Sequence, residues 1–187
     1  MPRREIPVML SDLLVEPSMV PGEWKLADRG EWKPIPERAV VEDYRAWEGI
    51  IRVLRRPEPQ CKGFDHVSSP PLGCDTISHE LLRYRNEWQA RLAFASGSLP
   101  ARSEWQVPRE WTFQNFQADQ FRFGCEEVTY NYYKATICTA MARYGSVISI
   151  VTIRMFTDRM TVHDVERILR AIDEHIVNQL TGRLQEN

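Results

Sequence analysis

The sequence lacks a hydrophobic run long enough to span a bilayer. A spanning helix needs roughly 18–20 apolar residues, whereas the longest apolar-rich stretch, Val147–Phe156, is about half that length and contains Arg154. The first residues, Met-Pro-Arg-Arg-Glu, also lack the apolar core of a signal peptide. We therefore expect no membrane span in this chain. The protein is expected to be either cytosolic, or secreted or surface-anchored; in the second case, its leader is absent here.

An excess of positive charge is also missing. The chain has 24 Lys and Arg residues against 26 Asp and Glu residues, and its net charge is −2. Binding to a phosphate backbone is driven by clustered cations. The composition therefore argues against a nucleic-acid partner.

No common catalytic motif is present: the sequence has no Gly-rich phosphate loop, no Gly-x-Ser-x-Gly and no His-Glu-x-x-His. The adjacent acids Glu126 and Glu127 would point to opposite faces of a strand, so we do not expect them to share an acid/base site. A solvated turn is the better interpretation of this pair. We expect no cofactor and assign no catalytic residue. An enzyme with a dispersed active site remains the alternative.

The chain does have enough apolar material for a core, since 43% of its 187 residues are hydrophobic. Residues 1–36 hold six of the twelve prolines, which predicts an irregular arm. We expect this arm to contain a short helix capped by Ser11 and to dock on the body through Trp24 and Trp32. Residues 37–187 are expected to form a single domain.

Apolar periodicity predicts the elements of that domain. Strands are expected at 49–55, 77–84, 121–128, 135–143 and 147–156, and helices at 87–96 and 162–180, the latter ended by Gly182. The fold class is α+β: an antiparallel sheet with a C-terminal meander, backed by a long C-terminal helix and a shorter central helix.

The four cysteines fall into two local pairs, Cys61 with Cys74 and Cys125 with Cys138. An even number of locally paired cysteines suggests disulfides, which persist in oxidising compartments. Four reduced thiols in a cytosolic protein are the alternative. If Cys125 faces Cys138 across a hairpin, paired positions sum to 263 and the turn centres between Asn131 and Tyr132. A non-hydrogen-bonded pair is the position that would allow the bridge.

Two other residue sets are candidate sites. Cys61, His66, Cys74 and His79 could supply two thiolates and two imidazoles to zinc in a small cytosolic module, although they lack the usual Cys-x2–4-Cys spacing. A second set consists of aromatic residues that could line a ligand groove: Trp111, Phe113, Tyr130, Tyr132 and Tyr133, with Phe116 nearby.

Several segments of the sequence resemble those of a known group of proteins. They are Ala118-Asp-Gln-Phe-Arg-Phe-Gly-Cys125, Cys138-Thr-Ala-Met-Ala-Arg-Tyr-Gly145, Met160-Thr, Ala171-Ile-Asp173 and, near the start, Leu13-Leu14 with Met19-Val-Pro-Gly-Glu-Trp24. The chain resembles bacterial secreted proteins or lipoproteins similar to the extracytoplasmic sensor domain of mycobacterial serine/threonine kinases. This resemblance implies an α+β domain outside the cell. The resulting hypothesis is a non-enzymatic extracytoplasmic domain that is structural or binds an unidentified protein or small molecule.

Overall fold

A computed structural model describes residues 8–27, 45–57, 74–96, 106–114, 116–130, 133–156 and 160–185, with only the backbone described for Tyr130, Tyr133 and residues 183–185. The helices in these ranges are α1 (Leu10–Leu13), α2 (Glu87–Ala95) and α3 (Val162–Gln185), with a 3-10 turn at Pro17–Met19. The strands are β1 (Lys25–Leu26), β2 (Glu48–Arg55), β3 (Thr76–Arg83), β4 (Gln120–Tyr130), β5 (Tyr133–Tyr144) and β6 (Val147–Met155).

The strands in the described ranges form one antiparallel sheet in the order β1-β2-β3-β6-β5-β4. Strands β4, β5 and β6 form a meander, and β6 joins it to β3. The predicted α+β class is therefore confirmed, with α3 as the long C-terminal helix and α2 as the shorter central one.

Cys125 and Cys138 face each other on β4 and β5 and form a disulfide, with Cα atoms 4.0 Å apart. The Cys125 N–H and C=O groups bond to Gln106 on the outer side of β4, at 2.9 and 3.0 Å. Both groups of a residue in an antiparallel strand point to the same side, so neither is left for Cys138. The bridge thus occupies a non-hydrogen-bonded pair, in the register that the sequence predicted.

The apolar residues of α3 form a stripe along the helix, and this stripe covers one face of the sheet. Val165, Ile168, Leu169, Ile172 and Ile176 are each at most 4% exposed and join the main hydrophobic cluster. Gly182 does not end the helix as expected, because α3 continues to Gln185. A glycine typically ends a helix by adopting positive φ, and among the described glycines only Gly22 and Gly145 do so. No helix within the described residues, α3 included, is long and apolar enough to cross a membrane.

The described part of the N-terminal segment is tightly packed. Leu10, Leu13, Leu14 and Val15 are at most 2% exposed, and Trp24 is 8% exposed. The predicted cap at Ser11 is wrong: α1 begins at Leu10, so Ser11 lies within the helix and its hydroxyl donates to the Asp12 carboxylate. Burial of Leu10 outweighs the local capping preference. Trp32 lies outside the described residues, and the boundary at residue 36 stays a prediction.

Helix α2 packs on the opposite face of the sheet. Its start is capped by Asn86, whose side chain accepts a hydrogen bond from the Gln89 N–H at 2.9 Å. Ala90 and Phe94 join a second cluster that includes Leu82. The neighbouring strand residue, Leu81, belongs to the main cluster, and successive strand residues point to opposite faces. The sheet therefore has α3 and α1 on one face and α2 on the other.

We predict that Ile172→Ala lowers the free energy of unfolding by about 2–5 kcal/mol, because it opens a cavity at the centre of the α3 stripe. Urea denaturation measures this change. Asn178→Ala, at an exposed position of the same helix, is the control and should change stability little. An unchanged midpoint for Ile172→Ala would show that α3 is not packed as described.

Candidate functional site

His79 links the N-terminal segment to the centre of the sheet. The side chain is 0% exposed on β3. The Val15 N–H donates to Nδ1 at 3.0 Å, and Nε2 lies 3.0 Å from the Ser149 hydroxyl. Because Nδ1 must accept, the ring proton is on Nε2, which donates to Ser149. Burial, together with the charges of His175 and Arg52, lowers the pKa of His79 to about 3.

The His79–Ser149 pair is not arranged as a catalytic dyad. A histidine that activates a serine must accept the hydroxyl proton, whereas Nε2 donates its own proton to that hydroxyl. Ser149 is also only 2% exposed, so no substrate reaches it. The pair therefore serves to hold the Val15 segment against the sheet.

The described residues do not assemble the predicted zinc set. Cys74 is disulfide-bonded, and a metal needs a free thiolate. Both ring nitrogens of His79 already have partners, as described above, while Cys61 and His66 lie outside the described residues. In the ranges that are described, no three His, Cys, Asp or Glu side chains are grouped so that they could hold a metal ion.

Two of the predicted groove residues do come together. The Trp111 ring stacks on Phe123 with centroids 3.9 Å apart, and Phe113 contacts Phe116 at 4.3 Å. Phe116 in turn stacks on Phe121. These rings pack against the main hydrophobic cluster, so they line the side of the core between β4 and α3.

Two buried carboxylates of α3 hold this aromatic segment in place. Glu166 accepts hydrogen bonds from the N–H groups of Thr112 and Phe113, at 2.6 and 3.2 Å. Burial alone would raise the pKa of Glu166, but these hydrogen bonds lower it below its ordinary value. Asp173 accepts from the Gln117 N–H at 3.0 Å and from the Tyr144 hydroxyl at 2.7 Å. The carboxylates are therefore occupied by structural bonds.

The predicted tyrosines lie elsewhere. Tyr130 and Tyr133 are backbone partners at the end of the β4–β5 hairpin, and Tyr130 is roughly 23 Å along the strand from Phe123. Tyr132 lies outside the described residues. The structure thus groups Trp111 with Phe113 but separates them from the hairpin end.

A cleft of about 290 Å³ opens near that hairpin end, where β5 begins and β6 ends. Its apolar part includes Met155 and Met160, which are 8% and 7% exposed. This volume is just below the roughly 300–1,000 Å³ of typical small-molecule sites, so the cleft has room only for a small ligand. The lining residues are Glu127, Lys134, Ala135, Thr136, Met155, Phe156 and Met160.

Opposite charges stand at the rim of this cleft. Glu127 is the direct partner of Thr136, and Lys134 lies two residues before Thr136 on β5. All three side chains therefore leave the sheet on the same face, and the Cβ atoms of Glu127 and Lys134, as diagonal neighbours, lie about 7–8 Å apart. Both side chains are exposed, and neither has an ion-pair partner among the described residues.

The sequence interpretation missed this site. We expected Glu126 and Glu127 to lie in a turn, but they lie in the long strand β4. The information that could have located the cleft is the register itself. Pairing that sums to 263 places Lys134 opposite Thr129 and diagonal to Glu127, which brings one of the four lysines beside an acid.

No protein-family model matches the sequence, and no curated protein matches it. The chain is similar to several solved structures at low identity. The extracellular domain of PknH from Mycobacterium tuberculosis is 9% identical, with 88% of this chain and 93% of that chain covered and a TM-score of 0.46. LpqN, involved in cell envelope biogenesis of the same organism, is 15% identical over 83% and 78%, with a TM-score of 0.40. The Saccharomyces cerevisiae Ran-binding protein Mog1p is 13% identical over 86% and 83%, with a TM-score of 0.34.

A mycobacterial extracellular domain is the kind of protein to which the sequence resemblance pointed, and that resemblance is confirmed.

We predict that His79 makes stability depend on pH. Its pKa is about 3 in the folded state and about 6.5 when unfolded, so the unfolded chain binds the extra proton between these values. Stability due to His79 is therefore complete above about pH 6.5 and falls as the pH decreases towards 3. The loss between pH 7 and pH 5 should be about 2 kcal/mol, measured by urea denaturation.

The variant His79→Gln should be less stable at pH 7 but should lose less stability on acidification. His163→Gln replaces a histidine whose side chain is 76% exposed and lies 3.6 Å from Glu166. Because the glutamine amide can still donate to that carboxylate, this variant should keep the wild-type dependence. If His79→Gln kept it too, another group would be responsible.

Proposed function

We propose that this chain is a non-enzymatic extracytoplasmic domain that binds a small amphipathic molecule in the cleft between the β4–β5 hairpin and the end of β6. The observation that carries the proposal is the pair of opposite charges, Glu127 and Lys134, which have no ion-pair partner among the described residues and stand at a cleft that Met155 and Met160 also line. A charge without a partner at the rim of a cavity is available to a ligand.

The chemistry of the cleft favours a zwitterion with an apolar group, such as a free amino acid. The Lys134 ammonium would bind a carboxylate, and the Glu127 carboxylate would bind an ammonium group. Met155 and Met160 would contact the apolar side chain, since methionine adapts its shape to irregular partners. Both ligand charges and the apolar group would then have a partner in the same small volume.

The cysteine chemistry supports the proposed compartment. Cys125 and Cys138 are joined, and Cys74 is disulfide-bonded as well. Disulfides persist mainly in oxidising environments such as the cell exterior. The Cys125–Cys138 bridge also lies two residue pairs from Glu127 and Thr136 along the hairpin, so it stabilises the strands that carry the charged rim.

The ligand proposal predicts charge-specific binding. Isothermal titration should detect binding of L-methionine. Binding of N-acetyl-L-methionine, which lacks the ammonium group, should be weaker. Binding of the methyl ester, which lacks the carboxylate, should also be weaker. Each lost ion pair should cost up to about fivefold in affinity. Glu127→Gln should remove the difference between methionine and its N-acetyl derivative, and Lys134→Met the difference from the ester.

Glu110→Gln, at an exposed acid outside the cleft lining, is the matched control and should bind like wild type. The ligand proposal is wrong if methionine gives no saturable heat, or if the control variant changes binding as much as Glu127→Gln does.

The compartment has its own test. Protein purified under oxidising conditions and then denatured should show no free thiols on titration. The double variant Cys125→Ala/Cys138→Ala should lose about 3 kcal/mol of stability, because it opens a loop with a sequence separation of 13. Four free thiols in such a preparation would contradict the extracytoplasmic assignment and leave the ligand proposal standing.

A further inference from the structure

Helix α2 has apolar residues on two opposite faces. Ala90 and Phe94 are buried against the sheet. At 100° per residue, Trp88 and Leu92 point the other way, and they are 67% and 47% exposed. Trp47, at the start of β2, is also 62% exposed, and it follows Ala46, which packs in the same cluster as Ala90. Nothing in the described structure requires these large side chains to face water.

Cations lie among these apolar side chains. The Arg85 guanidinium carbon is 4.5 Å from the centre of the Trp47 ring, and Arg85 precedes Trp88 by three residues. Arg91 is exposed three residues after Trp88 and lies beside it on the helix surface. We call these five residues the tryptophan face: Trp47, Arg85, Trp88, Arg91 and Leu92.

The neighbouring carboxylates in the described part of the chain are directed away from this face. The Glu87 carboxylate reaches towards the β5–β6 turn, where a Cβ on Gly145 would lie 3.5 Å from it. Glu48 is paired with Arg83 at 2.8 Å. The tryptophan face is therefore apolar with positive charge.

We propose that the tryptophan face docks the domain on an anionic bilayer surface. Tryptophan is favoured at the membrane–water interface, where its ring sits at the level of the head groups. Surface-bound helices combine such apolar residues with Lys or Arg, and each cation near an anionic leaflet contributes to binding. Both kinds of residue occur here on one exposed face, which complements the charge of acidic lipids.

A protein partner would need more surface than the apolar residues of this face offer. Their exposed parts amount to roughly 400 Å², so about half of the roughly 800 Å² that a stable interface buries on each partner would have to come from polar surface around the face. A bilayer needs no such area, because the side-chain tips enter it directly.

The test is sedimentation with vesicles of phosphatidylcholine alone or with about one-third phosphatidylglycerol. We expect binding to the anionic vesicles, weaker binding to the neutral ones, and loss of binding at high salt. Arg85→Gln/Arg91→Gln should weaken binding to the anionic vesicles by about thirtyfold, and Trp47→Ala/Trp88→Ala by at least about tenfold. Val107→Ala, at an equally apolar position that is 58% exposed but outside this face, should bind like wild type.

Each variant changes exposed side chains, and an unaltered thermal midpoint shows that it is folded. Failure of the wild-type chain to sediment with anionic vesicles overturns the proposal, as does equal binding by the tryptophan variant and Val107→Ala. Sedimentation equilibrium tests whether a second copy of the chain occupies the face instead. If the chain does not bind vesicles but forms a concentration-dependent dimer that Trp47→Ala/Trp88→Ala abolishes, the face is a dimer interface.

Discussion

The pairing of Cys125 with Cys138 sets the register on which the rest of the C-terminal half depends. A slip of one residue in a strand moves every side chain to the other face. In the observed register Cys138 and Ala140 contribute to the main cluster. The next pair on the same face of the hairpin, Glu127 with Thr136, lines the cleft. The bridge outlasts local opening of the ladder, so it preserves the core contacts and the charged rim at the same time.

Buried polar side chains attach the irregular segments to this framework. His79 binds the backbone of Val15, Glu166 binds that of Thr112 and Phe113, and Asp173 binds that of Gln117. Removing one partner of such a bond leaves a buried polar group unsatisfied, at a cost of about 1–3 kcal/mol. These side chains therefore fix the positions of the segments that have no regular structure. The proline-rich sequence alone would not fix those positions.

Local pattern predicted most of the fold, while the site depended on tertiary pairing. Alternation and helical periodicity located the strands and α3, because burial of one face leaves a repeat in the sequence. Both errors fall at helix ends. Packing of Leu10 starts α1 before Ser11, and α3 passes through Gly182, which does not adopt the positive φ of a helix-ending glycine. Glu127 and Lys134 carry no motif, and they become neighbours only through the hairpin register, so no residue-by-residue reasoning singles them out.

Helix α2 shows why periodicity does not identify the buried face. The large apolar residues Trp88 and Leu92 predict a helix, yet it is the smaller Ala90, together with Phe94, that packs on the sheet. The cleft lies on the other face, since Met155 and Met160 belong to the cluster under α3. The tryptophan face and the cleft are thus separated by the thickness of the sheet. A surface that held α2 would leave Glu127 and Lys134 open to solvent, and the two proposed contacts do not compete for space.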